Sequence, residues 1–230
     1  MARKTANSVV DKPPHEWYIT REMWLAPPFI NQGDHTEFKP LKLVIVAHTV
    51  SAECTVFKNC AAELRNLQNY YLTKHGYDLP YNFLIGNEGR VYEGRGWNEI
   101  GAHTRGYNRC TLGIAFIGDY REGLPSYSKV TELQLLRAKM LLDEGVKLNY
   151  LQRDYHVLGA KDVQSSLSPG TNLYRAIQQW SNYNHENFYR GKTCEDIHGV
   201  HNQTSVAVQT ASLAPVLRSP VTTGNQSLGT

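Results

Sequence analysis

The apolar residues in the middle of the chain form short, largely β-branched runs of the kind found in buried strands. One run covers residues 41–46, and a second covers residues 111–117. Residues 81–85 and 90–92 flank the turn sequence Asn87-Glu88-Gly89, which predicts a β-hairpin with Gly89 at positive φ. Because a continuous apolar run suits a strand covered on both faces, we expect the first two runs to be central strands.

Between these runs, apolar residues recur at steps of three and four, as they do on one face of a helix. This spacing predicts helices over residues 56–71, before Gly76, and over residues 130–141, before Gly145. A third helix is expected after residues 169–170. Strands separated by helices, together with one hairpin, predict an α/β domain with a mixed central β-sheet packed between helices.

The composition of the chain changes near both ends. Residues 1–14 are polar and end in two prolines, and from about residue 191 the chain is rich in Ser, Thr, Gln and Asn and has no Phe, Trp or Tyr. We therefore expect a single domain over residues 15–190, with flexible tails over residues 1–14 and 191–230.

Composition and charge exclude several classes of function. The chain has 24 Lys and Arg against 21 Asp and Glu, and the net charge of +3 is spread thinly, so we expect no nucleic-acid partner. The sequence lacks an apolar run long enough to span a membrane. It also lacks the glycine pattern of a phosphate-binding loop and the G-x-S-x-G turn of serine hydrolases.

Nine histidines raise the question of a metal site. His48, His103 and His156 each lie in or beside a predicted strand or turn, but they are far apart in the chain and include no close pair such as H-x-x-x-H. A zinc site needs three or four convergent ligands. The spacing alone therefore favours separate structural or groove-lining imidazoles over a metal centre.

Polar and aromatic side chains are concentrated between positions 92 and 109. The group comprises Tyr92, Arg95, Trp97, His103, Arg105, Tyr107 and Arg109. One interpretation is an ordinary surface loop. The other is a groove wall in which aromatic faces stack on sugars and guanidinium groups bind carboxylates.

Five motifs follow one another along the chain. They are Val44-Ile45-Val46-Ala47-His48-Thr49, Tyr81-Asn82-Phe83-Leu84-Ile85-Gly86, Val91-Tyr92-Glu93-Gly94-Arg95-Gly96-Trp97, Gly101-Ala102-His103-Thr104 and Leu112-Gly113-Ile114-Ala115-Phe116-Ile117-Gly118. In this order and spacing the chain resembles the peptidoglycan recognition proteins, relatives of the type 2 N-acetylmuramoyl-L-alanine amidases. Residues 19–26 are similar to the N-terminal segment of the animal members, and the resemblance covers about residues 15–185.

The resemblance maps the zinc-ligand positions of the amidases onto Ala47, Ala160 and Ser168. Two methyl groups and a neutral hydroxyl are poor substitutes for imidazole and thiolate ligands. Ser166 stands where amidases carry a Thr or Lys that helps stabilise the reacting carbonyl, whereas the tyrosine of that site is kept as Tyr81. Without a metal there is no Lewis acid and no activated water. We therefore expect no zinc, no other cofactor and no amidase activity.

The resemblance also implies a groove that binds peptidoglycan or muropeptide fragments. The side chains expected to line it are Tyr81, Arg95, Trp97, Asn98, Glu99, His103, Tyr107 and Arg109. Arg109 matches the family position at which an arginine pairs with the side-chain carboxylate of meso-diaminopimelate. Glu99 departs from the family pattern, and its carboxylate could repel that ligand group or be neutralised by Arg105 or Arg109.

Two other functions stay open beside direct recognition. The chain could be a regulatory or adaptor member of the family that does not itself bind peptidoglycan and acts by pairing with another member, as a homodimer or heterodimer. A working zinc amidase is the third, and the replaced ligand positions argue against it.

The cysteines bear on the compartment. The spacing of Cys54 and Cys60 matches the short disulfide of the family, whereas Cys110 is expected to be a packed free thiol and the state of Cys194 is open. A disulfide needs an oxidising compartment, and Asn202 and Asn225 stand in N-glycosylation triplets. We therefore expect an extracellular receptor ectodomain or secreted protein of innate immunity. Residues 1–12 lack the apolar run of a secretory signal, which leaves an intracellular form as the alternative.

Overall fold

A computed structural model of the chain describes residues 14–27 and 36–200. Nearly all of the predicted N-terminal tail, and residues 201–230 with both glycosylation triplets, lie outside the described residues.

The described residues form six strands, six α-helices and one 3-10 turn. The strands are β1 (Tyr18–Ile19), β2 (Leu41–His48), β3 (Phe83–Ile85), β4 (Val91–Glu93), β5 (Thr111–Phe116) and β6 (Leu151–Gly159). The helices are α1 (Pro14–Trp17), α2 (Phe57–His75), α3 (Glu132–Lys147), α4 (Ala160–Val163), α5 (Thr171–Ile177) and α6 (Cys194–His198), and Thr36–Phe38 forms a 3-10 turn.

The strands form one mixed sheet in the order β1-β4-β3-β5-β2-β6. β3 and β4 are antiparallel, and the other neighbours in this order are parallel. The two predicted central strands, β2 and β5, lie side by side and are almost entirely buried. Gly89 turns the predicted hairpin with a φ of 86°. The predicted α/β fold with a mixed central sheet is confirmed.

Helix α2 follows the predicted spacing. Its buried residues are Cys60, Ala61, Leu64 and Gln68, and it ends at Gly76, whose φ of 74° lets its N–H reach back to the carbonyl of Leu72. Helix α3 begins with a capping box formed by Thr131 and Gln134, as capping side chains satisfy the first backbone N–H groups. It continues through Gly145, beyond the end that the spacing predicts.

Helices cover both faces of the sheet. A Cβ at Gly86, just after β3, would lie 2.8 Å from Cys60 Sγ, which places α2 against the face to which Gly86 belongs. A Cβ at Gly159 would point to the opposite face and lie 2.9 Å from the ring of Tyr174, which belongs to α5. Since the sheet is covered on both sides, its central strands read as continuous apolar runs.

The ordered fold continues past residue 190, where the composition predicts a tail. Helix α6 is capped by the hydroxyl of Thr193, and its residues Cys194 and Ile197 are buried. The domain therefore extends to about residue 199. Among the helices of the described residues, none has the length and apolar character that a membrane span requires.

Candidate functional site

Small side chains form a floor on the face of the sheet that α2 partly covers. The register places Ala47 of β2 opposite Ala115 of β5, and it pairs Val46 with Gly159, the residue just before Ala160. Gly113 shares this face, because it lies two residues before Ala115 in the same strand. At these four positions the floor consists of methyl groups and bare backbone.

Ser168 closes one end of the floor. Its hydroxyl accepts a hydrogen bond from the backbone N–H of His48 at 3.1 Å, and its carbonyl accepts one from the N–H of Lys161 at 2.8 Å. Ser168 is thereby joined to the residues that follow Ala47 and Ala160. The structure brings together the three positions that the resemblance maps onto zinc ligands.

The donor atoms at these positions do not fit a zinc ion. Protein zinc sites use thiolate, imidazole or carboxylate ligands. Ala47 and Ala160 end in methyl groups, and the Ser168 hydroxyl already accepts the N–H of His48. This part of the structure therefore lacks the ligand chemistry of the amidase centre.

His48 lies at the end of β2, beside the floor, with 3% of its surface exposed. Its Nδ1 accepts a hydrogen bond from the backbone N–H of Tyr120 at 3.2 Å, which puts the proton of the neutral ring on Nε2. Burial lowers the pKa of His48 to about 4, although Asp119, 3.8 Å away, acts in the opposite direction. The imidazole is therefore neutral near pH 7.

Tyr81 adjoins His48. Its hydroxyl donates to the carbonyl oxygen of His48 at 3.4 Å. Burial raises the pKa of Tyr81, and the neighbouring Tyr71 adds to this effect. Tyr81 is therefore a neutral phenol beside the floor.

The residues between positions 70 and 77 form an aromatic cluster that the sequence reasoning missed. Its members are Tyr70, Tyr71, His75 and Tyr77, at and just beyond the C-terminal end of α2. Neighbouring rings lie 5.5 to 5.9 Å apart between centroids, and Tyr71 also interacts with the hydroxyl of Tyr81. The sequence does show four ring-bearing residues within eight positions. The helical spacing of apolar residues, however, picks out only Tyr71 as part of the buried face.

His103 lies directly on the floor. A Cβ at Gly113 would be 2.2 Å from His103 Cδ2, so the missing side chain lets the imidazole approach β5. His103 Nδ1 is 3.0 Å from the hydroxyl oxygen of Thr104. Two of the predicted groove residues, Tyr81 and His103, therefore adjoin the same floor.

Arg95 is buried, with 4% of its surface exposed. Its guanidinium group donates hydrogen bonds to the carbonyl oxygens of Leu79 at 2.6 Å, Ile100 at 2.8 Å and Asp78 at 3.1 Å. The prediction that Arg95 lines an open groove is therefore corrected. The side chain is buried, and its hydrogen bonds join the loop after β4 to residues 78–79.

Trp97 packs into the same loop region. Its ring stacks on Tyr150 at 5.1 Å with an interplanar angle of 7°, and it lies 4.6 Å from the ring of Phe83. A Cβ at Gly145 of α3 would lie 2.7 Å from Trp97 Cη2. The indole is therefore wedged between the sheet and α3, on the face opposite to the floor, and its expected place in the groove lining is corrected.

Asn98 and Glu99 follow Trp97 on a loop fixed by Asn82. The amide of Asn82 donates to the carbonyl oxygens of Gly96 and Glu99, both at 2.9 Å. Asn98 is exposed, and its Oδ1 accepts a hydrogen bond from Lys39 Nζ at 2.6 Å. Glu99 as a whole is half-buried on this loop, and its Oε2 atom is buried.

Tyr107 is also buried, with 6% of its surface exposed. Its hydroxyl donates to the carbonyl oxygen of Tyr189 at 2.9 Å and accepts from the N–H of Gly191 at 3.0 Å. The prediction that Tyr107 lines the groove is therefore corrected. Its buried hydroxyl instead fixes the segment that leads to α6.

Arg109 lies just before β5, at the end of that strand opposite to Ala115. Its guanidinium group donates to Glu37 at 3.2 Å and to Glu195 at 2.9 Å, and it lies 5.5 Å from the centre of the Phe38 ring. The pKa of Glu195 is lowered by a hydrogen bond from the backbone N–H of Glu195 to its carboxylate and by the nearby Arg109. The predicted carboxylate-binding arginine thus already binds two carboxylates of its own chain.

All four cysteines form disulfides. Cys54 is bonded to Cys60, as predicted, and Cys110 is bonded to Cys194. The expectation of a free Cys110 thiol is therefore wrong. Within the described residues, the one cluster of potential metal ligands is Cys54, Cys60 and Glu88, and its two sulfurs are bonded to each other.

Comparison with known proteins agrees with this arrangement. The family model for N-acetylmuramoyl-L-alanine amidase matches residues 37–172. Peptidoglycan-recognition protein SA of Drosophila melanogaster is 42% identical over 164 residues, which are 71% of this chain and 77% of that protein.

Two solved structures are similar in fold. One is the ectodomain complex of peptidoglycan recognition proteins LCa and LCx with tracheal cytotoxin bound, with a TM-score of 0.68, 36% identity and coverage of 74% of this chain and 99% of that chain. The other is peptidoglycan recognition protein LE in complex with tracheal cytotoxin, a monomeric diaminopimelic acid-type peptidoglycan; its TM-score is 0.68 at 33% identity, covering 74% and 96% of the two chains.

The sheet order, the two-sided helical cover and the family match define a domain of the type 2 amidase class. Within that class, the chain belongs to the peptidoglycan recognition protein family.

Proposed function

We propose that this protein is a non-catalytic receptor for peptidoglycan fragments. The observation that carries the proposal is the convergence of Ala47, Ala160 and Ser168, the three positions that the family resemblance maps onto the zinc ligands of the amidases. Ser168 is fixed by His48, and the two alanines have no donor atom. A groove of this kind can bind a muropeptide, but its own side chains supply neither a Lewis acid nor an activated water.

The proposed ligand class is a muropeptide of the diaminopimelate type. Two structural relatives have tracheal cytotoxin bound, and one of them is described as a complex with the monomeric diaminopimelic acid type. Arg109, whose guanidinium group pairs with Glu37 and Glu195 in the unliganded chain, is the proposed partner of the extra carboxylate of diaminopimelate. Charge-assisted pairs of this kind are often bidentate. His103, Tyr81 and the aromatic cluster offer rings for contact with sugar and peptide.

The proposed setting is innate immune signalling outside the cell. Two disulfides favour an oxidising compartment, which suits a secreted protein or a receptor ectodomain. Since one structural relative is an ectodomain complex of two recognition proteins with tracheal cytotoxin bound to it, pairing with another member of the family is part of the proposal.

The test combines binding, metal content and catalysis on the purified chain. We expect retention on insoluble diaminopimelate-type peptidoglycan, no stoichiometric zinc, and no release of stem peptide from muropeptides. The variant Arg109→Ala should lose any preference for diaminopimelate-type over lysine-type muropeptide, whereas Arg105→Ala, a matched exposed arginine, should keep it. About one zinc per chain or stem-peptide release would overturn the non-catalytic assignment, and absence of retention would favour the regulatory or adaptor role.

A further inference from the structure

The guanidinium group of Arg109 is already paired with two carboxylates of its own chain. One terminal nitrogen of its guanidinium group contacts Glu37 and the other contacts Glu195. These two nitrogens are also the pair with which a guanidinium group binds a carboxylate in a fork geometry. A ligand carboxylate that approaches Arg109 must therefore compete with carboxylates already in place.

A covalent bond holds Glu195 at this position. Arg109 immediately precedes Cys110, Glu195 immediately follows Cys194, and the two cysteines form a disulfide. The Arg109–Glu195 ion pair and the Cys110–Cys194 disulfide are thus formed by neighbouring residues of the same two segments. The two cysteines are 84 positions apart in the sequence. The bond keeps Glu195 within reach of Arg109.

Helix α6 has further contacts that fix its orientation. Nε2 of His198 lies 3.2 Å from the carbonyl oxygen of Cys110, and the His198 ring lies 5.0 Å from the ring of Phe38. Ile197 is buried against the domain. Since Phe38 also lies against Arg109, the 3-10 turn and α6 both contact this side chain.

The three charged side chains stay accessible to a ligand. Arg109 is 52% exposed, Glu37 is 60% exposed and Glu195 is 43% exposed. Exposed ion pairs are weak, because water screens them and long side chains lose freedom when they pair. A ligand can therefore displace Glu37 and Glu195, at a modest loss of affinity.

We propose that Glu195, assisted by Glu37, is a specificity-determining residue that weakens the hold of Arg109 on the side-chain carboxylate of a diaminopimelate-type muropeptide. This inference rests on the proposed function. The resident carboxylates act only on ligands that need Arg109, so they lower the preference for diaminopimelate over lysine without affecting the rest of the groove.

The test is calorimetric binding of two monomeric muropeptides, one of the diaminopimelate type and one of the lysine type, to the disulfide-intact chain. Glu195→Gln removes one resident charge and keeps the shape of the side chain. We expect it to bind the diaminopimelate ligand about two- to fivefold more tightly, which is the range for losing one exposed ion pair. Binding of the lysine ligand should stay unchanged. Glu37→Gln should act in the same direction, and the double variant should exceed either single change.

Glu186→Gln is the matched control, since Glu186 is an exposed carboxylate on the same C-terminal part of the chain. It should leave both affinities unchanged. If the wild type binds the diaminopimelate ligand and Glu195→Gln binds it no better, or tightens both ligands equally, the inference is overturned while the proposed function stands. If neither the wild type nor any variant binds either muropeptide, the proposed function fails and this inference fails with it.

Discussion

The hydroxyl oxygen of Ser168 and the backbone nitrogen of His48 are joined by a hydrogen bond of 3.1 Å across 120 residues of sequence. This bond fixes the loop before α5 against the end of β2. It puts Ser168 beside the two alanines of the floor, so the three positions that the family resemblance maps onto zinc ligands lie together, although none of them carries a usual zinc ligand.

Restoring the ligand types should therefore create a zinc site. We expect the triple variant Ala47→His, Ala160→His, Ser168→Cys to retain about one zinc per chain after dialysis, because imidazole and thiolate groups are the usual ligands of such a site. Elemental analysis by mass spectrometry measures the metal content. The double variant that keeps Ser168 is the control and should retain less zinc. A triple variant that folds but binds no zinc would contradict the convergence of these positions.

His48 should make the stability of the domain depend on pH. Its folded-state pKa of about 4 lies below the ordinary value of 6.5 because the ring is buried. Between these two pH values the unfolded chain therefore binds more protons than the folded chain. The contribution of His48 to stability is fully present above about pH 6.5 and is lost as the pH falls through about 4. The full effect is about 3 kcal/mol, from the difference between the two pKa values.

Urea unfolding at several pH values measures this dependence. In His48→Asn, which keeps an acceptor for the N–H of Tyr120, the loss of stability between pH 6.5 and 4 should be smaller by about 2 to 3 kcal/mol. The exposed residue His75 provides the control variant His75→Asn. An identical pH dependence in wild type and His48→Asn would exclude His48 as its source.

Arg95 should matter for the stability of the domain. In Arg95→Met, the carbonyl groups of Asp78, Leu79 and Ile100 lose a charged donor. Buried acceptors without partners are costly, so we expect the free energy of unfolding to fall by about 2 to 4 kcal/mol. Denaturant melts of Arg95→Met and of the exposed Arg105→Met compare the two positions directly, and Arg105→Met should change stability by less than about 0.5 kcal/mol. Equal small effects would show that the Arg95 contacts contribute little.

The two disulfides should differ in their contribution to stability. Cys110–Cys194 spans 84 positions and Cys54–Cys60 spans 6. The loss of chain entropy on closing these loops corresponds to about 4.5 and about 2 kcal/mol. Cys110→Ser/Cys194→Ser should therefore lower the free energy of unfolding by roughly 2 kcal/mol more than Cys54→Ser/Cys60→Ser. All four cysteines are buried, so the cost of placing serine there is similar in both variants. The reverse order of stability would contradict this expectation.

The central part of the fold could be predicted because its signals are local. The apolar run of β2 and the helical spacing before Gly76 each depend on neighbours in the chain, and both elements form where the pattern indicates. Helix α6 could not be predicted in this way. It is short, it follows a change to polar composition, and its stability depends on the disulfide to Cys110 and on a cap at Thr193.

The lining of the site was harder to predict than the fold, because the direction of a side chain depends on distant parts of the chain. Arg95 and Tyr107 belong to a polar and aromatic stretch that suits a groove wall. Their partners are carbonyl groups from other segments, such as Leu79 and Tyr189, and these turn both side chains inward. The pairing of Arg109 with Glu195 depends in the same way on a contact between segments that are remote in sequence.

The contact between Gly145 and Trp97 ties the loop after β4 to helix α3. Because a Cβ at position 145 would lie 2.7 Å from the indole, the helix and the ring have no spare space between them. The loop that carries Asn98 and Glu99 therefore cannot shift as a unit without moving α3 or breaking the stack of Trp97 on Tyr150. The packing of α3 against the sheet thus helps to set where Asn98 and Glu99 lie.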